Sequence, residues 1–199
     1  MTNNKWTPVK EKALFFRELI CHPRQTSMLV PSSAALAEVM VVSDKINKAQ
    51  TVVELGPGTG VFTGKIHELC SDKLFFAMEL NSDFVAMLKS KMPTLKIYND
   101  SAGNIKNYLN LHNTQKTDLV ISSLPWASFS PRLQNKLLAS IRRALSEGGE
   151  FITYSYVHTH LFPHTQKFKR ILYRHFSEVT TSKIVWKNIP PAFAYYCKK

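Results

Sequence analysis

Apolar residues in this chain occur in two patterns: short unbroken runs rich in β-branched side chains, and stretches where they recur every third or fourth position. The first pattern predicts strands buried on both faces, the second helices lying over them. Strands are expected at residues 51–55, 73–80, 95–98, 117–122 and 151–157. Helices are expected at about residues 61–70, 83–91, 104–111, 131–146 and 164–176, and a further one opened by Pro31-Ser32-Ser33 is expected to run to about residue 43. Their ends carry recognisable signals. Asn81-Ser82-Asp83 caps one helix that Pro93 stops, and Ser130 followed by Pro131 opens another, with Gly148-Gly149 beyond its end. Residues 179–186 and 192–197 read as two strands joined across Asn188-Ile189-Pro190-Pro191. The sum is an α/β fold, a mostly parallel doubly wound sheet of seven strands that finishes in an antiparallel hairpin.

Ahead of this array lies one amphipathic stretch. Trp6, Val9, Ala13, Phe16 and Ile20 make an apolar stripe on a predicted helix that begins at Thr7-Pro8 and ends before Pro23. Lys5, Lys10, Lys12 and Arg17 surround the stripe, while Leu14 and Phe15 widen it. Two readings stay open on these residues: a helix packed across the core, or an interfacial helix with its apolar face among acyl chains and its cations at the headgroups. Residues 1–24 are therefore set apart from a single domain at residues 25–199.

Composition narrows the partners. A formal charge of +12 and a pI near 9.7 imply an anionic counterpart, nucleic acid or a negatively charged membrane surface. Cys21, Cys70 and Cys197 are widely spaced with no CxxC pair, which reads as reduced thiols and gives no metal site. The sequence shows no signal-peptide core and no apolar run of spanning length, so a cytoplasmic protein that at most lies on a membrane is expected.

The chemistry is concentrated at predicted strand ends. Glu54-Leu55-Gly56-Pro57-Gly58-Thr59-Gly60 joins a strand to a helix, and glycines at alternate positions let backbone approach a ligand closely. A carboxylate at the strand end suits a cationic ligand better than a pyrophosphate. Glu79 ends the next strand about twenty residues on, the offset at which a carboxylate accepts two hydrogen bonds from a ribose diol. Asp100, with Ser101, follows the third strand, where a side chain would lie beside an adenine. The fourth strand breaks into Ser122-Ser123-Leu124-Pro125-Trp126, and Tyr154, Tyr156 and His158 close the fifth.

The glycine turn resembles motif I of the class I S-adenosylmethionine-dependent methyltransferases, and Ser-Leu-Pro-Trp resembles the Asn-Leu-Pro-Tyr and Asn-Pro-Pro-Tyr corners of enzymes that methylate amino nitrogens, with serine in place of asparagine. Over nearly the whole chain, Phe15-Phe16, Val30-Pro31-Ser32-Ser33, Val53 to Gly60, Ser122 to Trp126, Tyr154-Ser155-Tyr156 and Trp186-Lys187-Asn188-Ile189-Pro190-Pro191-Ala192 look like the small soluble bacterial phospholipid N-methyltransferases. The resemblance implies a Rossmann-like domain with S-adenosyl-L-methionine as cofactor. It implies stepwise methylation of phosphatidylethanolamine towards phosphatidylcholine, without a metal, and an amino-terminal helix at residues 5–20 that binds anionic membrane on the inner face of the cell membrane.

Under this reading Ser32, Glu54, Gly56, Gly58, Gly60, Glu79, Asp100, Ser101, Ser122, Ser123 and Leu124 hold the cofactor. Trp126 closes an aromatic face over the acceptor nitrogen, Tyr154 positions it and His158 accepts its proton. Trp186 and Tyr195 are expected to wall the pocket on resemblance alone. Ribosomal RNA adenine dimethyltransferases share much of the pattern but add a helical domain for which no residues remain, so N-methylation of RNA adenine or of another small molecule is the second choice. A membrane-binding protein that keeps the fold without catalysis is the third. Oligomeric state is not legible.

Overall fold

The computed structural model describes residues 34–161 and 163–199, with the side chains of residues 160–165 excepted. The expectations for residues 5–20 and for Ser32 lie outside that range. Elements follow in the order α1 (Ala34–Met40), α2 (Ser43–Lys48), β1 (Thr51–Leu55), α3 (Thr63–Leu69), β2 (Leu74–Glu79), α4 (Ser82–Lys91), β3 (Ile97–Asn99), α5 (Ile105–Leu111), β4 (Thr117–Ser122), α6 (Pro131–Ala144), β5 (Leu145–Tyr156), α7 (Pro163–His175), β6 (Glu178–Thr181) and β7 (Ala192–Lys198).

The seven strands form one sheet in the order β3-β2-β1-β4-β5-β7-β6. All pairings through β5 are parallel, and β7 runs antiparallel to both β5 and β6. This is the doubly wound sheet with its carboxyl-terminal hairpin that the periodicity predicts.

Because side chains alternate along each strand, the sheet buries two separate apolar layers. Val53, Leu55, Phe76, Val120 and Phe151 face α5, α6 and α7 through Ile105, Leu109, Leu138, Ile141 and Leu172. Val52, Ala77, Leu119, Ile121 and Ile152 face the other way, onto Leu36 and Met40 of α1, Ile46 of α2, Ile66 of α3 and Leu88 of α4. Burial on both faces explains why β1 reads as an unbroken apolar run with a single charged interruption, Glu54.

Beyond shifts of one or two residues at element ends, three differences from expectation matter. The single helix expected to reach residue 43 is two, because Val42 at φ −79° and ψ 104° breaks the chain between α1 and α2. Strand β5 starts at Leu145, not Phe151, so Gly148-Gly149 lies within the strand and not merely past a helix. There Gly148 takes φ +75°, and the register with β4 skips between Thr117 and Leu119, the signature of a bulge. Strand β6 stops at Thr181, and beyond it Val185 makes an isolated bridge back to Ala192.

Candidate active site

Strand order reverses between β1 and β4, where the first three strands step outward one way and the chain then returns to build the other half. Such a switch point opens a crevice beyond the carboxyl ends of the two central strands. Glu54 and the glycine turn stand on one lip, Ser122 to Leu124 on the other. The lips are joined directly, because Ser123 N–H donates to Leu55 O at 2.9 Å, and Gly56 N–H ties the glycine turn to β2 by donating to Met78 O at 2.8 Å.

Gly56 takes φ +70°, and a Cβ there would come within 2.8 Å of the Leu124 side chain. Gly58 takes φ +56° with open space around the Cβ it lacks. Positive φ is costly for other residues, and the bare backbone of Gly58 leaves room for a ligand where a side chain would stand. Leu124 thus packs against the same turn as the glycines.

Glu54 is fully buried, and neither carboxylate oxygen has a hydrogen-bond partner. Burial pushes its pKa up to about 8; Thr63 Oγ1 alongside draws it back without reaching hydrogen-bond geometry, and the charge of Glu79 adds to the rise. A buried carboxyl group without a partner is expensive, and a cation or donor placed against it removes the cost. Methionine-derived ligands carry such a cation in their α-amino group, so Glu54 fits a donor of that class.

Glu79 accepts Gly58 N–H at 3.0 Å on Oε2 and Asn81 N–H at 2.9 Å on Oε1. Each oxygen keeps a second lone pair, which leaves capacity for two hydroxyl donors. Asn99 Nδ2 donates to Glu79 O and Leu80 O, fixing the tip of β2 against β3.

Asp100 is more fully engaged. Its carboxylate accepts Ser101 N–H at 2.7 Å, Asn104 Nδ2–H at 3.0 Å on both oxygens and Tyr108 O–H at 3.1 Å. Any contact with an adenine shares oxygens that already brace this turn. Ser101 Oγ caps the following turn by accepting Gly103 N–H at 3.3 Å. Tyr98 and Tyr108 stack beside it with centroids 4.2 Å apart, and desolvation, with the Asp100 hydrogen bond, holds the Tyr108 hydroxyl up to about 12.

The corner after β4 corrects one expectation. Trp126 is 2% exposed, its ring stacks on Phe168 at 5.3 Å, and its Nε1–H donates to Ser122 Oγ at 3.2 Å. A ring packed in this way does not close over an acceptor nitrogen; it anchors the corner from below. Ser122 Oγ also accepts Leu124 N–H, whereas the buried Oγ of Ser123 has no partner, so Ser123 carries the unsatisfied hydroxyl of the pair. Tyr195 is likewise core, packed on Phe168 and Phe193, while Trp186 stands 69% exposed on the chain between β6 and β7, so neither of the two expected wall residues is brought to this corner.

Tyr154 is half-buried and meets the edge of Phe62 at 6.4 Å, just past the glycine turn; Tyr156 follows at 5.6 Å and stacks on exposed His158 at 5.8 Å. An aromatic row therefore leads from the glycine turn to the surface. Phe62 and Thr63 were not legible as site residues, because a Phe-Thr pair opening a helix reads as packing and capping. Only the tertiary approach of α3 to β1 and β5 gives them neighbours there. Among the described residues no cluster of His, Cys, Asp and Glu is arranged to hold a metal ion, and no helix is long and apolar enough to cross a membrane.

Comparison with known proteins agrees with this geometry. The profile of the family described as "Ribosomal RNA adenine dimethylase" matches residues 32–184. A curated relative, the ornithine lipid N-methyltransferase of Singulisphaera acidiphila, is 28% identical, with 96% of this chain and 97% of the relative covered. Among solved structures, the N-methyltransferase NodS from Bradyrhizobium japonicum superposes with a TM-score of 0.62 at 10% identity, over 85% of this chain and 99% of NodS. Spermidine synthase in complex with a transition-state analogue gives a TM-score of 0.62 at 13% identity, over 83% of this chain and 61% of the synthase. These likenesses establish the methyltransferase fold, and the cofactor that goes with fold and family is S-adenosyl-L-methionine. With the glycine turn, the orphaned Glu54 and the open acceptor capacity of Glu79 gathered at one switch point, and with the profile running through most of its length, the chain belongs to the ribosomal RNA adenine dimethylase family of methyltransferases.

Proposed function

We propose that the chain methylates the headgroup amine of a phospholipid, taking phosphatidylethanolamine and its mono- and dimethyl derivatives towards phosphatidylcholine at a membrane surface. The observation that carries this reading is end-to-end similarity to a lipid N-methyltransferase, whose ornithine lipid substrate also presents an amine on a lipid headgroup. The net charge of +12 suits work beside anionic lipid.

S-adenosyl-L-methionine supplies a methyl group on a sulfonium, an electrophile that needs alignment more than activation. Glu54 takes the amino cation of the donor, Glu79 its ribose hydroxyls, and Asp100 with Ser101 the adenine edge. The backbone around Gly56, Gly58 and Gly60 stays close to the ligand. Ser122, Ser123 and Leu124 line the donor from the other lip, and there a backbone carbonyl and Ser123 Oγ hold the acceptor nitrogen by its protons, so that its lone pair points along the methyl–sulfur axis. Trp126 fixes that corner from beneath. An ammonium has no lone pair to give, so the amine reaches the corner neutral or loses a proton there; Tyr154 positions it, and His158 at the outer end of the aromatic row accepts the proton. Ser32 joins the donor site from the segment before α1.

A second reading has a specific observation behind it, the family profile itself, which points to adenine amino groups of RNA. One experiment separates the two. Purified protein is incubated with methyl-labelled donor and, in parallel, with anionic vesicles containing phosphatidylethanolamine, vesicles containing an ornithine lipid, and ribosomal RNA, with products resolved by chromatography. Label in mono-, di- and trimethylated phosphatidylethanolamine is expected. Label in ornithine lipid alone moves the substrate to that headgroup, and label in RNA alone overturns the lipid reading.

A further inference from the structure

The segment between β6 and β7, residues 182–191, inverts the usual distribution of side chains. Asn188, its one buried polar member, is 3% exposed, whereas Ile184, Trp186 and Ile189 are 40%, 69% and 76% exposed. Large apolar side chains standing in water around a buried asparagine call for an explanation, because the reverse arrangement is the favourable one.

The inversion is built, not slack. Val185 N–H donates to Ala192 O at 2.7 Å, Asn188 N–H to Val185 O at 3.2 Å and Ser182 N–H to Ala194 O at 2.9 Å. The Asn188 Nδ2–H donates to Pro190 O at 2.7 Å, and Ala194 N–H donates to Ser182 Oγ at 2.9 Å. Asn188 is spent on shaping the turn, and the shape pushes the apolar residues outward.

Position and charge say what the turn meets. Strand β7 is antiparallel to β5, with Ala192 paired to Tyr156, and Val157 N–H donates to Pro191 O at 2.8 Å. The turn therefore lies at the same edge of the sheet as the aromatic row of Tyr154, Tyr156 and His158. Lys183 and Lys187 flank the apolar residues and are exposed, and the segment Ser182 to Pro191 contains no acidic residue. Tryptophan and isoleucine between lysines form the pattern of a surface that sits at the headgroup boundary of an anionic bilayer, with rings and methyls below and ammonium groups level with phosphate.

We propose that this turn is a membrane-docking tip: Trp186, Ile189 and Ile184 enter the interface of an anionic bilayer, and Lys183 and Lys187 meet its phosphates. Docking there sets the acceptor edge of the site against the lipid surface. A headgroup amine then reaches the corner after β4 without the lipid leaving the bilayer. The proposal rests on the lipid reading of the function but concerns a different surface, so the two can fail separately.

The test uses the full chain with Trp6→Phe, which leaves buried Trp126 as a constant background and Trp186 as the reporter. Vesicles of phosphatidylglycerol and phosphatidylethanolamine carry bromine on the acyl chains at two depths. Trp186 emission is expected to shift to the blue and to be quenched more strongly by the shallow bromine than by the deep one. The double variant Trp186→Ser/Ile189→Ser is expected to bind the same vesicles about tenfold or more weakly while binding S-adenosyl-L-methionine as before, which also shows it folded. Co-sedimentation with vesicles while Trp186 emission stays unshifted and unquenched overturns the proposal. So does a dimer in solution that the double variant dissolves without loss of vesicle affinity, since the patch then joins two copies of the chain. If Trp186 enters the bilayer but no lipid amine is methylated, the docking tip stands and the assigned reaction falls. If lipid is methylated while Trp186 stays in water, the tip alone falls.

Discussion

Glu79 Oε2 lies 3.0 Å from the Gly58 amide nitrogen and accepts its hydrogen, so the residue expected to bind ribose also holds the glycine turn in place. Two roles on one carboxylate give a graded expectation. Glu79→Gln keeps one acceptor oxygen but offers an amide group in place of the other, which must face either Gly58 N–H or Asn81 N–H. A loss of about 1–3 kcal/mol in thermal stability is expected, together with a donor affinity at least tenfold weaker, read by calorimetry and by direct titration. Unchanged affinity would detach Glu79 from the sugar.

Glu54 gives a pH signature. Its pKa of about 8 in the fold lies above the ordinary value of 4.5, so the folded protein favours the protonated form. The associated stability is complete below about pH 4.5 and is lost as pH rises through about 8. Without donor, stability should fall across pH 5–8 by up to about 1.4 kcal/mol per pH unit from this group, and Glu54→Gln should remove that slope. Donor affinity should run the opposite way, rising over the same window, because a cation beside Glu54 favours the ionised carboxylate. Denaturation curves and titrations of both proteins at several pH values check the pair.

Trp126 separates a core role from contact with the acceptor. Trp126→Phe should cost about 1 kcal/mol for the lost hydrogen bond to Ser122 and leave turnover within a few-fold. Trp126→Ala should cost about 3–5 kcal/mol by opening a cavity beside Phe168. A Phe variant that is stable yet inactive would put the indole in contact with substrate after all.

Proton transfer at the end of β5 is checked by turnover. His158→Ala should lower kcat/KM about a hundredfold, whereas Tyr154→Phe should lower it less. A His158→Ala enzyme with unaltered kcat/KM would return this exposed ring to a surface role.

For the amino-terminal segment, removal of residues 1–22 should abolish stable binding to anionic vesicles, since one shallow anchor alone holds marginally, while donor affinity stays mostly intact. Sedimentation with vesicles and donor titration of the shortened chain give the two numbers.

The strands and their order of appearance were legible because a buried parallel strand is mostly apolar, and the one charged residue in β1, Glu54, announced itself as chemistry. The caps at Asn81 and Ser130 were equally plain, since a side-chain oxygen ahead of a helix has a local task. The Gly148-Gly149 pair misled on strand β5, because the same residues that end helices also permit bulges, and which occurs depends on whether a neighbouring strand is there to pair with. Trp126 misled on its role. An aromatic residue after a proline corner has the same sequence whether it faces a ligand or the core, and Phe168, more than forty residues away in the chain, settled it for the core.

Local sequence by itself determined most of the elements, the glycine turn and the acidic residues at the ends of the first three strands, for these follow from backbone conformation and alternation within a few neighbouring residues. Only the tertiary structure decided which of those tips have spare capacity. Glu54 and Ser123 are left without partners, Asp100 is taken up by its own turn, and Asn188 is buried while Trp186 is not. Satisfaction of a polar group and exposure of an apolar one depend on what distant segments bring within about 3–4 Å, a distance no spacing along the chain records.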